Sequence, residues 1–227
     1  MGPYAKEELL ACVISRLVGD AAHAAIGAAS PIPAAGMFLL QQKIPSLRVS
    51  LLAKRRGNPF SEGSRELFDL AGQGRIDVFF LGGAQIDGEA RINLVSAEGR
   101  RFPGSFGSAF MYPVVPRTIL FREEHSRRVL VPRVEFVSAG GDPLALLTGR
   151  ALFSWQKDRR RFRLESFHPG SSPEDVRGST GFDYDISEQL RETPPPSADD
   201  LKLLRTQVAR KMAADYPDFA RRVWGID

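Results

Sequence analysis

Cysteine is nearly absent from this chain of 227 residues: Cys12 alone occurs, inside an apolar helical pattern. One thiol cannot close an intrachain disulfide, which excludes a stapled secreted scaffold and fits a reducing compartment. Histidine is scarce too. His23, His125 and His168 stand far apart, and no Cys/His spacing suits a metal ion, so none is expected. Long hydrophobic runs are missing, and no basic segment leads into an apolar stretch near the start. Neither a membrane span nor a secretory leader is therefore expected, and the cytoplasm is the expected location. Charge of one sign is also lacking, with 31 Lys and Arg against 27 Asp and Glu. The basic clusters Lys54–Arg56, Arg100–Arg101, Arg127–Arg128 and Lys157–Arg163 are scattered and accompany no nucleic-acid motif. They read as solvated loops and strand ends, with no nucleic-acid partner.

What the chain does have is the composition of a soluble globular protein, 43% hydrophobic and 26% charged. Its length suits one domain over 1–227. Apolar spacing predicts a helix over 4–18 stopped by Gly19, a short strand over 23–27 and, after the Ser30–Pro33 loop, a helix over 34–42. A strand over 47–54 and a helix within 61–74 follow, with Ser61 or Ser64 as its N-cap. "RIDVFFLGGAQID" (75–87) then reads as a strand covered on both faces. This alternation argues for an α/β fold with an open, mostly parallel sheet. Later stretches read as strands: 117–122, 127–139, 145–156 and 161–170. Ser172 should cap a short helix that starts at Pro173. A proline-rich linker over 193–197 precedes a helix over 198–213 capped by Ser197, and the tail after 216 is a docked helix or a frayed end.

In "FFLGGAQID" (79–87) an apolar run stops on Gly82 and Gly83. Glycine there means a turn of positive φ or a backbone that something approaches closely. A second small-residue cluster, "RFPGSFGSAF" (101–110), places Gly104, Ser105, Gly107, Ser108 and Ala109 where they could open a helix whose first N–H groups attract negative charge.

Taken together, "LGGAQIDGEARIN" and "RFPGSFG", with "ESFHPGSSPEDVRGSTGFDYD" downstream and "SPIPAAG" early on, resemble the second, or B, subunit of family I coenzyme A transferases. The likeness is to the glutaconate CoA-transferase type, including related subunits that open steroid-ring remnants by acyl-CoA hydrolysis, and it spans about residues 5–210. It implies the open α/β sandwich that these proteins share with sugar-phosphate isomerases. It also implies a hetero-oligomer with an A-type subunit and an acyl-CoA thioester held between subunits, coenzyme A being substrate and not a resident cofactor. On this resemblance the turns Gly82–Gly83–Ala84–Gln85 and Gly104–Ser105–Phe106–Gly107 bring backbone amides to the thioester and to developing oxyanion charge. Gly83, Ala84, Gln85, Gly104, Ser105 and Gly107 would then contact it. Phe106 stands where the family has glycine, which narrows the pocket or lines it for an apolar acyl group.

The family's nucleophile is a glutamate at the end of the strand equivalent to 47–54. Here "SLLAKRRGNP" (50–59) holds no carboxylate. Glu62 and Glu66, the nearest, read as surface residues of the following helix. Lys54, Arg55 and Arg56 take the glutamate's place, as a cationic clamp for a substrate carboxylate or phosphate, or as a solvated loop. Three readings stay open. The chain serves an acyl-CoA enzyme whose glutamate is the partner's, or whose chemistry is hydrolytic or ring-opening; it performs genuine CoA transfer between carboxylic acids; or it is a non-catalytic CoA-binding or structural subunit. Breakdown of carboxylic acids is the implied setting. His168, before Pro169-Gly170, can serve acid–base chemistry or its own turn. Asp87 is expected in an ordinary loop pair with Arg91, worth under about 1 kcal/mol. Ser105 lacks a G-x-S-x-G setting, and "LGGAQIDG" lacks the third glycine of a dinucleotide fingerprint.

Overall fold

The computed structural model describes residues 3–52, 54, 58 and 60–226. The chain divides into two compact units, one of Met1–Leu70, Arg75–Val78 and Pro194–Asp227, the other of Ala71–Gly74 and Phe79–Thr193.

The first unit opens with α1 (Lys6–Val18), β1 (His23–Ile26), α2 (Pro31–Lys43) and β2 (Arg48–Leu51), and α3 (Ser64–Gly72) follows. Helix α2 starts three residues earlier than the spacing predicts, because Pro31 and Pro33 fall in its first turn, where their missing N–H groups have no intrahelical partner. Gly36 lets α1 and α2 meet: a Cβ there would lie 2.7 Å from the Ile14 side chain and 2.9 Å from the Ala11 carbonyl oxygen. Strands β1 and β2 pair in parallel, His23 opposite Arg48. His23 is fixed between the Arg75 carbonyl, 2.9 Å from Nδ1, and Ser50 Oγ, 2.8 Å from Nε2.

Strand β3 (Val78–Leu81) leads to β4 (Gln85–Ile86), β5 (Arg91–Asn93), β6 (Ser96–Ala97), β7 (Arg100–Arg101), α4 (Ser108–Val114) and β8 (Arg117–Arg122). After these come β9 (Ala139–Gly140), β10 (Ala145–Thr148), β11 (Ala151–Gln156), β12 (Arg161–Phe167), α5 (Pro173–Ser179) and β13 (Asp185–Glu192). In the second unit the strands β13, β12, β11, β10, β8 and β3 are hydrogen-bonded neighbours in that order. β8 and β10 run parallel, as do β12 and β13, while β11 is antiparallel to both its neighbours. The α/β class with mostly parallel pairing is as expected. Aromatic side chains fill the interior of this unit: Phe153 meets Tyr184 edge-on at 5.1 Å between ring centroids, and Trp155 meets Phe162 at 4.9 Å.

Three expectations for this unit fail and one strand is missed. The stretch 75–87 breaks after Leu81 and resumes as β4, 145–156 is the two antiparallel strands β10 and β11, and 127–139 is not one strand. Residues 127–138 form no strand; Pro132 removes a donor, and neighbouring amides are taken by side chains, Val134 N–H by Asp87 Oδ2 (3.2 Å) and Glu135 N–H by Gln85 Oε1 (3.1 Å). Strand β13 is absent from the sequence reading because "DISEQLRE" is charged and mostly exposed, as edge strands are.

The first unit resumes past the prolines 194–196 with α6 (Ala198–Leu203), capped by Ser197 Oγ, which accepts Asp200 N–H at 3.1 Å. A π-helical turn (Leu204–Val208) joins it to α7 (Ala209–Asp215), so the predicted helix is interrupted once and runs two residues further. The tail is a docked helix, α8 (Pro217–Trp224), tied to α1 by the Trp224 indole N–H and by Arg222, which reach Glu8 and Glu7. Among the described residues no helix is long and apolar enough to cross a membrane.

Candidate functional site: two glycine bends

The first bend follows from what surrounds Gly83. A Cβ at this buried position would lie 2.6 Å from the Gln85 carbonyl oxygen, 3.3 Å from Ile92 Cβ and 3.4 Å from the Asn93 carbonyl oxygen; at Gly82 it would meet the Phe121 carbonyl oxygen at 3.1 Å. Close approach, not positive φ, is therefore what demands glycine here; at Gly83 the approaching atoms belong to the chain's own β4–β5 hairpin, at Gly82 to β8. The Ala84 N–H donates to the Asn93 carbonyl at 2.8 Å. The Gln85 side chain is equally engaged: its Nε2 donates to Glu135 Oε1 at 2.8 Å, and its Oε1 accepts Asn93 Nδ2 at 2.8 Å. Two residues on, Asp87 is fully buried. Its Oδ1 accepts the Glu89 and Arg91 N–H groups, each at 3.1 Å, and its Oδ2 accepts Arg91 Nε at 2.9 Å besides Val134 N–H. The expected Asp87–Arg91 pair exists, but as part of a buried hub and not as a surface contact.

The second bend is open. Gly104 has φ 111°, Phe106 φ 39° and Gly107 φ 59°, so the chain crosses the left-handed region three times in four residues. A Cβ on Gly104 would touch nothing within 4 Å, and Phe106 is 67% exposed. The Ser105 carbonyl accepts both the Ser108 N–H, at 2.9 Å, and the Ser108 hydroxyl. Helix α4 is only seven residues long with Pro113 inside, and Phe110 and Met111 N–H return to the Gly107 carbonyl. So short a helix adds little macrodipole, and the anion-attracting end read from the sequence is correspondingly slight. The two bends are joined through Asn93, whose Nδ2 also donates to the Ser96 carbonyl at 2.6 Å, and through the β6–β7 pairing of Ser96 with Arg101.

Lys54 lies just past β2, with its N–H 3.4 Å from the Leu51 carbonyl; Arg55 and Arg56 lie outside the described residues. Glu62 is exposed, and Glu66 Oε2 accepts Ser61 Oγ and the Glu62 N–H, which makes both surface groups at the start of α3, as read.

His168 is buried, with Nδ1 2.8 Å from Thr193 Oγ1 and Nε2 3.0 Å from the Thr148 carbonyl, so its ring ties the end of β10 to the residue just past β13 and not to its own turn. His125 is likewise buried, between Thr148 Oγ1 (2.8 Å) and Thr180 Oγ1 (3.0 Å). Burial, aided by the Arg150 charge, pushes its pKa down to about 4, so it is neutral at neutral pH. Burial also pushes the Cys12 thiol up to about 12, which makes it inert. Sequence reasoning missed Glu135 beside Gln85; fifty residues separate them, and only the fold brings them together.

No protein-family model matches the chain. It is similar to the second chain of the 3-oxoadipate CoA-transferase of Pseudomonas knackmussii, its B subunit, with 26% identity covering 94% of this chain and 97% of that one. Among solved structures, a variant of the decarboxylase AibA/AibB superposes with a TM-score of 0.76 at 26% identity, covering 88% of this chain and 94% of that one. The glutaconate coenzyme A-transferase of Acidaminococcus fermentans does so with a TM-score of 0.79 at 21% identity, covering 93% and 97%.

Proposed function

We propose that this relative of CoA-transferase B subunits works beside an A-type subunit on an acyl-CoA thioester, without supplying a nucleophilic carboxylate itself. The observation that carries the reading is the carboxylate-free stretch 50–59 after β2, in a chain otherwise built like the second chain of a transferase. The thioester carbonyl would sit against the amides of Gly82 and Gly83 and the open bend 104–107, which stabilise the oxygen as it gains charge. Ala84 has its amide engaged within the hairpin and would act by holding the bend. Attack then comes from water directly, or from the partner's carboxylate, which forms an acyl anhydride as it expels the CoA thiolate and is released when water cleaves that anhydride. Either route ends in the free acid and the CoA thiol. Phe106, exposed at the bend, would face the acyl chain and favour an apolar one. Similarity to a decarboxylase supports chemistry other than CoA exchange on this scaffold. Likeness to the 3-oxoadipate enzyme along nearly the whole chain favours a second reading, genuine CoA transfer.

Co-expression with an A-type chain, followed by incubation with acyl-CoA thioesters, tests this. Release of CoA thiol without an acceptor acid is the expected result. Inactivation by hydroxylamine only when acyl-CoA is present, with the hydroxamate left on a carboxyl of the A-type chain, signals a covalent intermediate on a partner carboxylate. Failure of the purified pair to bind any CoA thioester refutes the reading and leaves a structural role.

A further inference from the structure

Gln85 lies in the bend to which the proposed function assigns the thioester, yet its side chain is aimed into the protein. It is only 4% exposed and makes a closed ring with Glu135: Gln85 Nε2 donates to Glu135 Oε1 at 2.8 Å, and the Glu135 N–H donates back to Gln85 Oε1 at 3.1 Å. The same Oε1 accepts Asn93 Nδ2, and Asn93 Oδ1 accepts the Val95 and Ser96 N–H groups at 3.1 and 3.3 Å. At the far end the Glu135 carboxylate accepts the N–H of Glu98, a residue in the left-handed region at φ 51°, from 3.2 Å to Oε1 and 3.1 Å to Oε2. One carboxylate thus ties Gln85, two residues past the glycine pair and itself bonded to Asn93 on the strand opposite, to the β6–β7 turn that leads to the second bend.

We infer that Glu135 is a positioning residue for the glycine bend: through Gln85 and Asn93 it fixes the β4–β5 hairpin against which Gly83 is packed. The inference rests on the proposed function only for its consequence in catalysis. Its mechanical part stands on the contacts alone. A charged acceptor suits the task because it serves the Gln85 amide and the Glu98 N–H together, and hydrogen bonds to a charged group are roughly twice as strong as neutral ones. The ring also removes Gln85 from the set of side chains that touch a ligand.

The test compares Glu135→Ala and Glu135→Gln in the full chain with its A-type partner. The Gln carboxamide oxygen can still accept from Gln85 and Glu98, so this variant should restore what Ala loses. Two readouts are used: hydrogen exchange of the Ala84 amide, which donates to Asn93, and affinity for acetyl-CoA. In Glu135→Ala the Ala84 amide should exchange at least about tenfold faster and acetyl-CoA affinity should fall by a similar factor, with the thermal midpoint little changed. Glu135→Gln should stay within about threefold of wild type on both. Unchanged exchange in Glu135→Ala overturns the inference whatever the protein does. Faster exchange with undiminished acetyl-CoA affinity upholds the brace and sinks the assignment of the bend to the thioester.

Discussion

Lowering the pH should unfasten this protein at His125 before its carboxylates titrate. The imidazole is held between two threonine hydroxyls beneath Phe153, whose ring centroid is 6.2 Å away, with the Arg150 charge and His168 close enough to disfavour a proton. Its folded pKa, pushed down to about 4, lies below the unfolded value near 6.5. The unfolded chain therefore takes up the proton first. Stability from the neutral imidazole is fully present above pH ~6.5 and is lost as pH falls toward 4. By about pH 5 the loss from this one group should be roughly 2 kcal/mol, the unfolded state being nearly all protonated there and the folded state hardly at all. Urea unfolding of the wild type and of His125→Gln at pH 7.5 and at pH 5 isolates it, since glutamine can bridge the two hydroxyls but carries no proton. The wild type should lose about 2 kcal/mol more than the variant between the two pH values. An equal loss in both proteins would refute the reasoning.

Gly83→Ala should cost about 3 kcal/mol in urea unfolding, because the methyl meets a backbone oxygen that cannot turn aside; a loss under about 1 kcal/mol would mean the hairpin yields. Phe106→Gly should leave stability within about 0.5 kcal/mol, relief of left-handed strain offsetting the entropy of glycine. The same change should raise the KM for apolar acyl-CoA substrates, and equal KM values would remove Phe106 from the acyl site. Glu8→Ala should cost roughly 2 kcal/mol by thermal unfolding, because Glu8 accepts Arg205 Nε at 2.8 Å and Ala5 N–H at 2.8 Å while nearly fully buried. The value is kept below that of a fully buried pair, since Arg205 is half exposed and can be rehydrated. Cys12 should resist thiol reagents in the native protein and react within seconds in 8 M urea, its thiol being pushed up to about 12 by burial; prompt native labelling would contradict the packing of α1.

Elements with a strong period and a stop were legible in the sequence. Helix α1 ends against Gly19, α5 begins at Ser172-Pro173, and β8 lies where "RTILFR" put it. Two kinds of segment were not. Residues 127–138 look like a strand by composition, but the Val134 and Glu135 N–H groups are claimed by the Asp87 and Gln85 side chains, some fifty positions away, and no local pattern reports such a claim. Strand β13 has the opposite fault: it pairs along its backbone with β12 while its side chains remain solvated, so periodicity has nothing to record.

The candidate site divides along the same line. Both clusters are glycine-rich in sequence, and from sequence alone each could be a place where a ligand comes close. The structure separates their reasons. Gly83 is glycine because the Gln85 carbonyl oxygen of its own hairpin stands 2.6 Å from where a Cβ would be, a requirement that holds with or without any ligand. Gly104 is glycine because of a φ of 111° in open space, so no neighbour within the chain explains it by crowding. A side chain at Gly83 consequently reports on folding, and Gly83→Ala cannot distinguish an enzyme from a scaffold. Around Gly104 and Phe106 a strained turn holds an aromatic ring largely in solvent, where folding gains little from it. Under the proposed function, burial of that ring against an acyl chain or an A-type chain would offset the strain. Change at Phe106 is therefore the substitution whose effect should appear in affinity and not in the unfolding curve.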